Sequence, residues 1–195
     1  MTEAQIAACL TNGGVVVVPT DTVYGLAASP LHPEAVERIF ALKARPHAVN
    51  LPIMVADPAA LIDLGLAINP RAAHLLASPL VPGGLTLVLG FVEGPRPRWL
   101  AGREEVAVRI PDDARLLSIL RLTGPLLVTS ANAHGAGSAE TLDEVLAQLA
   151  GKPDLAIDGG VLHTTPSTLV NCRTDPPTVE RLGAIPAETI AEYLA

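Results

Sequence analysis

Four consecutive valines occupy positions 15–18, between the turn signal Asn12-Gly13-Gly14 and a polar segment that begins at Pro19. A run of β-branched residues bounded by turn residues reads as a buried strand, and a buried strand has to be covered by other elements around a core. Helical spacing precedes it at 2–10, where Ile6 and Leu10 lie four apart. It returns at 33–43 with Val36, Ile39, Phe40 and Lys43, behind a proline suited to a first helical turn. Further strands are expected at 52–55, 85–91, 106–110, 126–129, 155–157, 168–171 and 179–182. Helices are expected at 59–64, 71–76, 114–121 and 142–149, the last opened by Thr141 with Glu144 as a capping box. Strands interleaved with helices predict an α/β fold, a twisted mixed sheet with flanking helices. Short connections between the last strands predict antiparallel pairing there.

The chain has 195 residues, 49% of them hydrophobic and 17% charged, which suits a single domain over 1–195 with a substantial core. The Pro/Gly-rich stretch 95–102 carries Trp99 and Leu100, so it reads as a surface loop rather than a linker. A net charge of −7 argues against gripping a nucleic-acid backbone over many phosphates, although a small anion needs only a few well-placed cations. Cys9 and Cys172 form no CxxC pair, no signal segment opens the chain and no apolar run reaches the ~18 residues of a membrane span. Cytoplasmic residence is the expectation. There is no GxxxxGK[ST], no HExxH, no nucleophile elbow and no dense carboxylate cluster to hold a metal.

Chemistry-bearing residues collect where apolar runs end. Pro19-Thr20-Asp21-Thr22-Val23-Tyr24-Gly25-Leu26 delivers three hydroxyls and a carboxylate to a strand end, a position where α/β proteins place ligands; it equally describes a turn satisfying its own backbone. In Lys43-Ala44-Arg45-Pro46, Pro46 pushes Arg45 out of helical geometry, so that both cations can converge on one anion. The plain alternative is complementation of a helix dipole. Thr129-Ser130-Ala131-Asn132 offers small donors to phosphate or carboxylate oxygens, or is a simple strand-to-turn transition. Arg109 stands in an apolar strand, where a buried guanidinium needs an anionic partner: a substrate carboxylate or an internal ion pair.

In this order the segments resemble the YrdC-like family, the threonylcarbamoyl-AMP synthases. The collinear elements are PTDTVYGL at 19–26, KxRP at 43–46, PGGLTLVL at 82–89, VRIP at 108–111, TSAN at 129–132, PSTLV at 166–170 and RLGAI at 181–185. The resemblance implies a sheet folded around a large concave, positively charged cavity for ATP and threonine. It implies synthesis of threonylcarbamoyl-AMP and pyrophosphate from L-threonine, bicarbonate or carbon dioxide, and ATP, for threonylcarbamoyladenosine modification of tRNA. Carried over residue by residue, it implies a catalytic, phosphate-binding tetrad of Lys43, Arg45, Ser130 and Asn132. Thr20, Thr22, Tyr24, Arg109 and Thr129 fall to the substrate, with Arg109 on its carboxylate; Ser167 and Arg181 fall to the nucleotide. Magnesium would arrive with ATP, and the product would be handed to the transferase that modifies tRNA.

The sequence departs from the family after KARP, where an Asn-Pro-Leu-like turn is usual and His47-Ala48-Val49-Asn50-Leu51 stands instead. Gly84 replaces a common proline, and Ala133-His134-Gly135 a hydrophobic-Ser-Gly. The length resembles the short, single-domain form. Two other readings remain open: a YrdC-like transferase making a different carbamoyl-adenylate, and a non-catalytic RNA-binding module, which the acidic total disfavours.

Overall fold

The computed structural model describes residues 1–47, 50–100, 102–162 and 165–194. The strands are β1 (Val16–Val18), β2 (Gly25–Ala28), β3 (Ile53–Met54), β4 (Leu85–Gly90), β5 (Glu105–Arg109), β6 (Leu126–Ser130), β7 (Leu155–Ala156), β8 (Thr168–Asn171) and β9 (Thr178–Arg181). The helices are α1 (Glu3–Thr11), α2 (Pro33–Lys43), α3 (Ala59–Asp63), α4 (Pro70–Leu76), α5 (Ala114–Thr123), α6 (Leu142–Gln148) and α7 (Ala187–Glu192), with a short 3-10 turn at Arg98–Leu100. All nine strands form one sheet in the order β7-β1-β2-β6-β3-β5-β4-β8-β9. The pairs β1–β7, β3–β5 and β4–β8 are parallel and the others antiparallel, so the sheet is mixed as expected. Antiparallel pairing near the carboxyl end holds for β8 with β9, whereas β8 also runs parallel to β4.

Strand alternation divides the apolar residues between two faces. Val17, Leu26, Ile53, Leu85, Leu87, Leu89, Val106, Val108, Leu127 and Val170 face a large core shared with α2, α3, α4, α6 and α7. Val16, Val18, Ala27, Met54, Leu126 and Val128 face a smaller core built on Ile6 and Leu10 of α1 and Leu116, Ile119 and Leu120 of α5. That second core stops at β3. No residue of β4, β5 or β8 belongs to it, so this half of the second face is left for other use.

Local chemistry explains the helix ends, and two expectations are corrected. Thr2 and Gln5 form a full capping box at α1. At α6 the Thr141 side chain caps the Glu144 amide, but Glu144 Oε2 accepts from the Glu140 amide, so the expected box is half made. At the end of α2 the chain leaves the helix before Pro46 can act. Ala44 takes a left-handed conformation with φ 47°, and the amides of Ala44 and Arg45 close onto the carbonyls of Ala41 and Phe40 in a Schellman pattern. Strand β2, made of Gly, Leu and two alanines and buried throughout, was not expected, nor was α7.

Candidate active site

The uncovered half of the sheet is the floor of a cavity of about 350 Å³, inside the range of small-molecule sites. Alternate residues of neighbouring strands line it: Thr86 and Val88 of β4, Glu105, Ala107 and Arg109 of β5, and Leu169 of β8. Register places Thr86 opposite both Arg109 and Leu169, and Arg109 beside Met54. The walls come from Thr20 and Thr22 ahead of β2, from Thr129 and Ser130 at the end of β6, and from Arg45, Asn50, Ser167, Glu180 and Arg181.

Arg109 is 5% exposed and held on three sides. Its Nε donates to Gly83 O at 2.9 Å, Nη1 to Thr22 Oγ1 at 2.7 Å and Nη2 to Asp21 Oδ1 at 2.8 Å. A guanidinium carries five N–H groups, so one on each terminal nitrogen has no protein partner among the described residues. Burial lowers the Arg109 pKa; Asp21 counters the shift and Arg181 adds to it. Of the two sequence alternatives for Arg109, the internal ion pair is made, and it leaves donors on both terminal nitrogens.

The hydroxyls beside it have a fixed polarity. Thr20 Oγ1 lies 2.7 Å from Val23 O, an acceptor, so its single proton is spent there. In the Thr20–Thr22 contact at 3.1 Å the donor is consequently Thr22. Thr22 accepts from Arg109, donates to Thr20 and keeps one lone pair, which suits a ligand N–H or O–H. The amides of Thr22 and Val23 share the two lone pairs of Thr20 Oγ1 with the Thr22 hydroxyl, so Thr20 supports Thr22 from behind.

The expected tetrad is split. Arg45 lines the cavity, half-buried, with Nη2 donating to Asn50 O at 2.7 Å; its Nε is buried without a partner among the described residues. Ser130 lines the cavity as well. Lys43 and Asn132 are not among the lining residues. Lys43 Nζ donates to the carbonyls of Ser130 and Asn132, so the two cations do not converge on one point. Asn132 Nδ2 donates back to Ala133 O and Ala136 O. Burial, then Arg45, pushes the Lys43 pKa down to about 8. Arg45 and Arg181 are shifted down by burial too. Arg45, Arg109 and Arg181 line one cavity, and desolvation shifts each of them towards losing charge, so the cavity gains from an incoming anion.

Arg181 donates to Ser167 O at 2.9 and 3.2 Å and to Ser167 Oγ at 3.2 Å, and Ser167 Oγ sits 2.6 Å from Thr86 Oγ1. Thr86 was missed as a site residue, although it sits at an alternate position of a quoted strand. Tyr24 lies away from the cavity lining; its hydroxyl donates to Gly160 O at 2.7 Å and accepts from the Gly159 amide at 2.9 Å, anchoring the loop after β7. Of the altered turn after Pro46, Ala48 and Val49 lie outside the described residues, while Asn50 lines the cavity. No group of three or more His, Cys, Asp or Glu able to hold a metal occurs among the described residues. The cavity carboxylates Glu105 and Glu180 are engaged by Arg173 and by Asn171.

Residues 8–183 match the family model Sua5/YciO/YrdC, described as telomere recombination. The chain belongs to the Sua5/YciO/YrdC family. Threonylcarbamoyl-AMP synthase of Bacillus subtilis is 38% identical over 191 residues, which is 96% of this chain and 55% of that protein. A Pyrococcus abyssi Sua5 crystal structure, solved with L-threonine, superposes with a TM-score of 0.88 at 34% identity and covers 98% of this chain and 56% of its own. Escherichia coli YciO gives a TM-score of 0.85 at 26% identity, covering 96% of this chain and 92% of its own. The Sua5/YciO/YrdC chain described here thus spans little more than half the length of the first two relatives. Among its described residues no helix is long and apolar enough to cross a membrane.

Proposed function

We propose that this chain, as a single YrdC-like domain of the cytoplasm, forms L-threonylcarbamoyl-adenylate and pyrophosphate from L-threonine, bicarbonate or carbon dioxide, and ATP. The product would be passed on for threonylcarbamoyladenosine modification of tRNA. The observation that carries this reading is the open donor pair of Arg109 beside the acceptor lone pair of Thr22. Together they match an amino acid's carboxylate and a neighbouring N–H or O–H. Likeness to a threonylcarbamoyl-AMP synthase and to a structure solved with L-threonine supports it.

In this reading the threonine amine captures carbon dioxide and loses a proton to give a carbamate. A carbamate oxygen then attacks the α-phosphorus of ATP, forming the P–O bond as the bond to pyrophosphate breaks. Positioning and charge neutralisation dominate such a transfer. Arg109 and Thr22 hold the amino acid on the sheet floor. Arg45 and Ser130 face the phosphates across it, and Arg181 with Ser167 closes the nucleotide side. Magnesium bound to ATP would neutralise phosphate charge.

Purified protein would be incubated with ATP and bicarbonate plus threonine, serine or carbamoyl phosphate, and pyrophosphate and adenylate measured. Threonine- and bicarbonate-dependent pyrophosphate release is expected; folded protein that releases none sinks the proposal. Adenylate formation that requires carbamoyl phosphate would point to the other carbamoyl transfer. The hydroxyl chain gives a finer expectation. Thr20→Val removes the acceptor that orients Thr22 and should raise the threonine KM roughly tenfold, about 1.4 kcal/mol, leaving the ATP KM unchanged. Thr20→Ser should restore it.

A further inference from the structure

Lys43 is 1% exposed, and the partners of its ammonium are main-chain carbonyls. As the last residue of α2, it directs Nζ to the carbonyls of Ser130 and Asn132. Its own carbonyl accepts from the His134 amide at 2.8 Å, and one residue earlier Leu42 O accepts from the Ala150 amide at 2.8 Å. The carbonyl of Ser130, the last residue of β6, and that of Asn132 in the loop after it thus turn towards one point, where a hydrocarbon side chain would leave both unsatisfied. An ammonium carries three donors in a compact head and can answer both.

The turn at Ala44 separates this lysine from the next cation. The left-handed residue reverses the chain after α2, so Arg45 reaches the cavity while Lys43 stays against the loop. Ser130, whose carbonyl Lys43 holds, lines the cavity. Asn132, whose carbonyl it also holds, folds its amide over the next turn.

We propose that Lys43 is a positioning residue: it fixes the cavity-side loop at 130–134 by binding its carbonyls, and sets where the Ser130 hydroxyl stands rather than touching phosphate itself. This rests on reading the cavity as a nucleotide site, but its physical core, a lysine that orders a loop in the empty protein, can be tested without turnover.

The test compares Lys43→Met, Lys43→Gln and Arg45→Gln with the unaltered chain. Hydrogen exchange is followed at the amides of Ala131, Ala133 and His134 without ATP, and kcat and KM are measured for ATP. Lys43→Met should speed exchange at these amides at least tenfold in the absence of ligand. It should lower kcat about a hundredfold while the ATP KM stays within about threefold. Lys43→Gln, neutral but able to donate N–H to a carbonyl, should recover part of both. Arg45→Gln should raise the ATP KM and leave the exchange alone. Unchanged exchange in Lys43→Met, or in Lys43→Gln if the methionine variant does not fold, with an ATP KM raised as in Arg45→Gln, would overturn the proposal. If the protein releases no pyrophosphate with any substrate, the proposed function fails, while the exchange result still decides the role of Lys43.

Discussion

Arg109→Met is expected to raise the threonine KM about a hundredfold and to destabilise the fold at the same time. Two charge-assisted hydrogen bonds to a carboxylate are worth about 3 kcal/mol in total, which is that factor. The stability loss has a separate origin. Asp21 is 15% exposed and 2.8 Å from the guanidinium, so removing the arginine leaves a carboxylate buried without its partner. Breaking one side of such a pair costs about 3 to 5 kcal/mol. The two effects come apart in the double variant Arg109→Met with Asp21→Asn. It should regain most of the lost stability in urea unfolding, because no buried charge remains, and still use threonine as poorly as the single variant. A double variant that recovers threonine use would show that Arg109 matters only through Asp21.

Gly183→Ala should be nearly as damaging, for a steric reason. A Cβ at this position would lie 2.5 Å from Ser167 C and 2.6 Å from Ser167 O, with Pro166 O closer still, all backbone atoms with no side chain to swing aside. The contact is held shut by Ala184 N to Pro166 O at 2.9 Å and by Thr168 Oγ1, which takes the amides of Gly183 and Ile185 at 3.0 Å each. Forcing a methyl between the segment after β9 and the one before β8 costs about 1 to 3 kcal/mol. In a chain of this size that lowers Tm by roughly 2 to 10 °C. The same displacement moves Ser167 and Arg181, so the ATP KM should rise more than tenfold while the threonine KM moves little. A variant with unaltered Tm and ATP KM would refute this account of the glycine.

Much of the site was legible because the physics left few choices. An arginine inside an apolar strand must meet an anion, and Arg109 does. Small polar residues at strand ends were read either as ligand-facing or as turns satisfying their own backbone, and Thr20, Thr22, Thr129 and Ser130 line the cavity. Thr86 could have been found from alternation, since LTLVLG puts Thr86 and Val88 opposite three leucines. Other features were out of reach. Strand β2 is Gly-Leu-Ala-Ala, with no β-branched residue to announce it, and becomes a strand because β1 and β6 flank it. The separation of Lys43 from Arg45 depends on a left-handed alanine, a conformation its composition does not advertise. Tyr24 sits inside a motif read as substrate-binding, yet its hydroxyl has a backbone loop to hold.

The strand order also governs how the protein comes into being. β2 pairs with β6 and β4 with β8, so Thr22, Arg109 and Arg181 become neighbours only after long loops have closed. Loop closure has to precede the contacts that reward it, which places such a chain among folders working in milliseconds to seconds rather than microseconds. A partly folded chain therefore holds no partial site. In the proposed function ATP draws on Ser130 of β6 and Arg181 of β9, and so would act on the finished molecule: it would deepen the native state by mass action and slow its unfolding, without hastening the search that leads there.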